Sequence, residues 1–260
     1  MPEVITVPAF SDNYLWLIAA NGKALAVDPG DAGAIRTALR DHGLQLVGIL
    51  VTHHHADHIG GIPGLLADSP VPVYGPAGEM ARIPSIDHPV GDGDTIEFAE
   101  LGLQFSVIAV PGHTLGHIAY YCTGQNWLFC GDTLFASGCG RLFEGTPAQM
   151  HASLQRLIAL PDSTKVFCAH EYTMSNLAFA RAIEPERLAL AEETARVAAL
   201  RATGRPSVPT SVGHERQFNP FLRVDVAEVK KAAESAAGRE LSDPVAVFAA
   251  LRTWKDNFRI

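Results

Sequence analysis

Four times in this chain an apolar run of strand type ends on a histidine or an aspartate. LVGILV at 46–51 leads into T-H-H-H-A-D-H, which carries His53, His54, His55, Asp57 and His58. FSVIAV at 105–110 leads to His113, WLF at 127–129 to Asp132, and KVF at 165–167 to His170. Buried strands lying side by side deliver their end residues to one rim of a sheet, where loop-borne sites sit on a rigid scaffold. The pattern therefore asks for a sheet-based fold whose edge gathers these side chains.

The rest of the chain can supply that scaffold. Its 260 residues are 47% hydrophobic and 18% charged, enough for a sizeable core and too apolar for disorder. The length suits one large domain, or a catalytic domain with a smaller appendage. No apolar run approaches the roughly 18 residues of a membrane span. The opening MPEVITVPAF lacks a basic segment and does not read as a signal peptide. Four cysteines form no CxxC pair. A soluble, cytoplasmic protein without a membrane partner is expected.

Net charge is −8, which argues against a general nucleic-acid binder. Residues 1–174 hold 7 Lys and Arg against 17 Asp and Glu, whereas residues 175–260 hold 13 against 11. An acidic first part suits metal cations, and a mildly basic second part suits an anionic substrate. The texture changes at the same place. Up to Tyr172 the chain reads as strands with occasional helices, including a hairpin at Asn21-Gly22, a helix over 33–42 stopped by Gly43, and a helix opened by Thr146 and Pro147. Beyond it, four segments near 175–185, 187–204, 226–238 and 243–258 have helical periodicity. The Pro-bearing stretch 205–223 between them is expected to wrap along the surface. The boundary is placed near residue 174, with a mixed α/β domain over 1–174 and a small helical domain over 175–260.

The ligand-type residues make chemical sense as two adjoining metal sites. On an extended loop His53 and His55 point to one side and can share an ion. Asp57 and His58 diverge from that pair and suit a second ion. His113 would complete the first site and His170 the second, with Asp132 bridging both. Two dications, two carboxylates and a bridging hydroxide leave about one positive charge, and such a pair makes hydroxide at neutral pH while polarising a carbonyl. His54 and His117 point away and are expected to orient or pack. His42, His88, His151 and His214 read as ordinary core or surface histidines. No cysteine takes part, so the site is catalytic rather than structural. Cys139 is read as packing, Asp28 as the end of a strand with hydrogen bonding to the site a weaker option, and Glu171 is assigned no role.

T-H-H-H-A-D-H with His113, Asp132 and His170 resembles the metallo-β-lactamase superfamily, which implies an αββα four-layer sandwich with metals at one edge. More of the chain resembles one family within it. FSDNYLWLI, VDPGD, GDTLFASGCGRLFEGT, AHEYTMSNLAFA and WKDNFR are similar to the glyoxalase II family, the hydroxyacylglutathione hydrolases. That resemblance covers both halves of the chain. It implies hydrolysis of S-D-lactoylglutathione to D-lactate and glutathione, the second step of methylglyoxal detoxification; a monomer is expected. It implies two divalent ions, zinc first with iron or manganese as alternatives, on His53, His55, His113, Asp57, His58, Asp132 and His170, with Asp57 and Asp132 also catalytic. Glutathione contacts carry over to Arg141, Tyr172, Arg252 and Lys255. Position 141 is commonly Lys in relatives, and position 143 is Phe where some relatives place a Tyr.

Arg252 and Lys255 have an argument of their own. Three residues apart, they share a helix face and suit the carboxylates of a glutathione thioester. The expected reaction is attack of the bridging hydroxide on the thioester carbonyl, with Asp57 able to orient it and glutathione leaving as thiolate. The rival readings are a glutathione persulfide dioxygenase with one iron, and a non-enzymatic metal-binding protein on a degenerate hydrolase fold.

Overall fold

The computed structural model describes residues 1–259. The chain forms two compact units, residues 1–109 with 115–131, and residues 110–114 with 132–260.

In the first unit, β1 (Glu3–Ala9), β2 (Asn13–Ala20) and β3 (Lys23–Val27) run antiparallel. Ala20 pairs with Lys23, so Asn21-Gly22 is the two-residue turn read from the sequence. After helix α1 (Ala32–Asp41), strand β4 (Gln45–Leu50) joins parallel to β3. Helices α2 (Ala56–Ile59) and α3 (Ile62–Asp68) precede β5 (Val73–Pro76) and β6 (His88–Val90), again parallel. Helix α1 starts where Asp31 accepts from the Gly33 and Ala34 N–H groups.

All eight residues of β2 are buried. Leu15 and Leu17 face a core shared with Ile35 of α1 and Leu65 of α3, and the intervening residues point to the opposite face. A strand covered on both faces reads as a continuous apolar run, which is how NYLWLIAA appears. The second sheet covers that other face. Strands β7 (Thr95–Phe98), β8 (Leu103–Ala109), β9 (Ile118–Cys122) and β10 (Trp127–Gly131) are antiparallel neighbours in sequence order. Tyr120 on β9 donates its hydroxyl to the Val51 carbonyl at 2.7 Å, and Phe98 meets Tyr74 edge-on at 5.3 Å between ring centres. The first unit thus stacks helices, sheet and sheet.

The second unit holds the short hairpin β11 (Leu134–Phe135) and β12 (Gly138–Cys139), and the antiparallel pair β13 (Lys165–Cys168) and β14 (Thr210–Ser211). Its helices are α4 (Pro147–Ile158), α5 (Thr173–Ile183), α6 (Leu188–Ala202), α7 (Val212–Phe218), α8 (Ala227–Ala237) and α9 (Pro244–Asn257). Thr146 and Gln149 close a capping box at α4. Leu177, Ala180, Leu190 and Val197 form the seam between α5 and α6.

The stretch 205–223 departs from its expected surface path. It contains α7, and Val212, Glu215, Asn219 and Phe221 are fully buried. Buried Glu215 accepts from the Ser137 N–H at 2.7 Å, and Asn219 Nδ2 donates to the Gly138 carbonyl at 2.8 Å. Polar side chains therefore anchor this segment, which is why hydrophobic periodicity missed it.

Candidate active site

The T-H-H-H-A-D-H segment lies in the first unit. It leaves the C-terminal end of β4, beside the end of β3 where Asp28 sits with φ +50°. Asp28 is buried and accepts three hydrogen bonds. The Thr52 N–H donates to Oδ1 at 2.7 Å, while Thr52 Oγ1 and His58 Nδ1 donate to Oδ2 at 2.7 and 3.0 Å. With its hydroxyl proton given to Asp28, Thr52 Oγ1 accepts from His53 Nδ1 at 3.0 Å. Both rings are thereby held in the tautomer that keeps the lone pair on Nε2. His53 Nε2 lies 3.1 Å from His55 Nδ1, and His58 Nε2 lies 3.5 Å from Asp57 Oδ2. The structure thus brings His53 close to His55 and Asp57 close to His58. Asp28, His53 and His58 also bring ligand-type atoms within 4.8 Å of one another. The three donors on Asp28 make it an orienting group there.

His117 stacks on His53 at 4.5 Å and 17°, and its Nδ1 donates to the Ile118 carbonyl. His54 turns the other way. Arg82 donates to its Nε2 at 2.7 Å, and its Nδ1 donates to buried Glu79 at 2.8 Å. Both nitrogens are engaged away from the pairs above.

His113, Asp132 and His170 lie in the second unit, all buried. His113 Nε2 lies 3.4 Å from Asp132 Oδ2, and His170 Nε2 lies 3.4 Å from Oδ1 of the same carboxylate. Each oxygen thus faces a different histidine, the disposition a bridging ligand needs. His113 Nδ1 donates to the Arg141 carbonyl at 2.7 Å, again leaving the lone pair on Nε2. That contact requires glycine at 140, since a Cβ there would sit 1.9 Å from the Asp132 carbonyl oxygen. The His170 ring lies parallel to Tyr172 at 4.7 Å and 3°.

The donor set fits divalent transition metals: the Nε2 atoms of His53, His58 and His113 keep a lone pair because an acceptor holds each Nδ1 proton, and the carboxylates bring matching charge. Buried histidines and aspartates gathered without such ions would face desolvation with little return.

The four expected substrate contacts also lie in the second unit. Arg141, Tyr172, Arg252 and Lys255 line a cavity of about 270 Å³ with Phe135, Cys139, Ser175, Asn176 and Asp256. Their situations differ. Arg252 is buried, donating to the Cys139 carbonyl at 3.0 Å and to Asp256 Oδ1 at 2.9 and 3.2 Å, with its guanidinium 5.1 Å from the Phe221 ring centre. Lys255 Nζ donates to the Ser175 carbonyl and hydroxyl at 2.9 and 3.0 Å. Burial, then the nearby Arg252 charge, push its ammonium down to about 8. Arg141 is the exposed cation of the three, 3.9 Å from Asp256. Three cations against one carboxylate leave the cavity positively charged.

Several residues that shape the site escaped the reading of the sequence. Thr52 is invisible as a lone threonine. Asp256 had a signal, its i,i+4 spacing from Arg252. Burial pushes the Cys139 thiol up to about 11, which agrees with packing rather than reactivity. Glu171, assigned no role, accepts from the Ser207 N–H at 2.8 Å and ties the turn after His170 to the segment before β14.

The sandwich and its histidine-aspartate motifs define a chain of the metallo-β-lactamase superfamily, whose family model matches residues 10–170. The model described as hydroxyacylglutathione hydrolase C-terminus matches residues 171–258. The chain belongs to the hydroxyacylglutathione hydrolase family. It is 52% identical over 259 residues to the hydroxyacylglutathione hydrolase of Nitrosomonas europaea, covering 100% of this chain and 97% of that protein. It is 54% identical over 269 residues to the protein of that name from Cupriavidus taiwanensis, covering all of both. Among solved structures, ETHE1 from Myxococcus xanthus is similar with a TM-score of 0.65 at 25% identity, over 98% of each chain.

Proposed function

We propose that this chain hydrolyses S-D-lactoylglutathione to D-lactate and glutathione, using two divalent cations. In this reading His53, His55 and His113 hold one ion, Asp57, His58 and His170 the second, and Asp132 is shared. The observation that carries it is the Asp132 carboxylate, with a different histidine nitrogen 3.4 Å from each oxygen. Full-length similarity to proteins named hydroxyacylglutathione hydrolase supports the substrate. The catalytic part is taken as 1–174 and the helical, glutathione-binding part as 175–260. Zinc is the proposed metal, with iron or manganese as alternatives, since histidine and carboxylate donors suit all three.

Divalent cations bound there supply a Lewis acid for the thioester carbonyl and a water that loses its proton at neutral pH. The remaining work falls to the chain. Asp28, Thr52 and the Arg141 carbonyl hold the Nδ1 protons of His58, His53 and His113 and so keep each Nε2 aimed as a donor. Asp57, whose side chain is 39% exposed, orients the attacking water. Arg141, Arg252 and Lys255 bind the carboxylates of glutathione, and Tyr172 flanks them. A thiol with an ordinary pKa near 8.5 leaves as thiolate, so no general acid is needed.

Among the described residues no helix is long and apolar enough to cross a membrane. We place the enzyme in the cytoplasm as a monomer. The test is turnover of S-D-lactoylglutathione by purified protein with metal counted on the same sample. Turnover with close to two ions per chain, abolished by a chelator, is expected. A fully metallated sample without turnover would overturn this reading, and activity on glutathione persulfide with one iron would replace it.

A further inference from the structure

Helix α2 carries Asp57 and His58 but spans only four residues, and its N-cap, His55, makes no side-chain capping bond. A single turn of helix is not stable by itself and cannot fix the side chains on it. Other elements must hold them. His58 is held by Asp28, as described above. The backbone at Asp57 packs directly against Gly30, where a Cβ would come within 1.8 Å of the Asp57 carbonyl oxygen. The Asp57 side chain meets the opposite end of the sheet's first hairpin. Asn13, the first residue of β2, donates from Nδ2 to Asp57 Oδ2 at 2.9 Å. Asn13 is only 6% exposed and opens a strand that is apolar from Leu15 to Ala20. A buried amide costs stability unless it is hydrogen-bonded, so this one has reason to be there only if its partner matters.

We propose that Asn13 is a positioning residue for Asp57, and through it for the second metal site. The inference rests on the two-ion reading. The amide is neutral, so it orients the carboxylate without neutralising it, and the negative charge remains for the cation. The bond favours one rotamer of the half-exposed Asp57 over the others, which lowers the cost of ordering it on binding.

The test is zinc titration of the chelator-stripped chain against a competing chromophoric chelator, comparing the parent with Asn13→Leu. Leucine keeps the volume, suits the apolar strand and removes the amide with its Nδ2 donor. The parent should take up two equivalents. In the variant the second equivalent should bind about 10–100-fold more weakly, while the first keeps its affinity and the metal-free protein melts close to the parent. Asn13→Ala should shift the second equivalent in the same direction. Both equivalents bound at parental affinity by Asn13→Leu would overturn the inference alone. So would a metal-free variant melting far below the parent, which would make Asn13 a packing residue. A parent that takes up fewer than two ions would sink the two-ion reading and this inference with it.

Discussion

At the scale of single residues, the division between ligand and support is set by where protons are held. His53, His58 and His113 each commit Nδ1 to an acceptor behind them, whereas His54 commits both nitrogens to Glu79 and Arg82. Adjacent histidines in one motif thus have different chemistry. Asp132 is the residue on which the proposed two-ion arrangement turns. Asp132→Ala should lower kcat at least about a hundredfold, beyond what loss of a supporting residue costs, and should leave fewer than two ions bound. Full activity with one ion would remove its shared role. The cavity cations separate in the same way. Arg252→Ala strips Asp256 and the Cys139 carbonyl of a buried donor and should cost about 1–3 kcal/mol of stability as well as raising KM. Exposed Arg141→Ala should raise KM with little change in thermal midpoint. Equal melting of the two variants would contradict the burial argument.

At the scale of elements, short pieces are held by buried polar groups from elsewhere in the same unit. The β11–β12 hairpin has two residues per strand, far too few to persist alone. Asn176 on α5 donates to the Ala136 carbonyl, Asn219 donates to Gly138, and Glu215 on α7 accepts from Ser137 and Thr210. Full burial pushes the Glu215 carboxyl up from 4.5 to about 7 against those donors. Between these values the folded chain retains a proton that the unfolded chain has released. The associated stabilisation is complete below about 4.5 and is lost as pH rises through about 7. The parent's thermal midpoint should therefore fall relative to Glu215→Gln between about pH 4.5 and about pH 7 and level off above that. A constant difference across that window would show that Glu215 does not titrate there.

At the scale of the whole molecule, a chain of net charge −8 gains from binding cations. Each ion present at a hundred times its Kd adds about 2.7 kcal/mol to the folded state. Two ions should raise the melting temperature by on the order of 10 °C, measured by calorimetry before and after chelation and after zinc is restored. An unchanged midpoint would mean that the ligand cluster holds no metal. The class of fold, the strand-end motifs and most helices were legible in the sequence, because apolar periodicity, caps and turn pairs are local signals. NYLWLIAA, Asn21-Gly22 and Thr146-Pro147 became β2, its turn and the start of α4. The anchoring of 205–223, the Asp28–Thr52–His53 relay, the Asn13 contact to Asp57 and the pairing of Arg252 with Asp256 were decided only by tertiary structure. Each depends on the direction of one polar side chain toward a partner, and direction leaves no period along a chain. Sequence determines which residues can ligate and where buried strands end; folding decides which protons are held and which side chains stand behind the ligands.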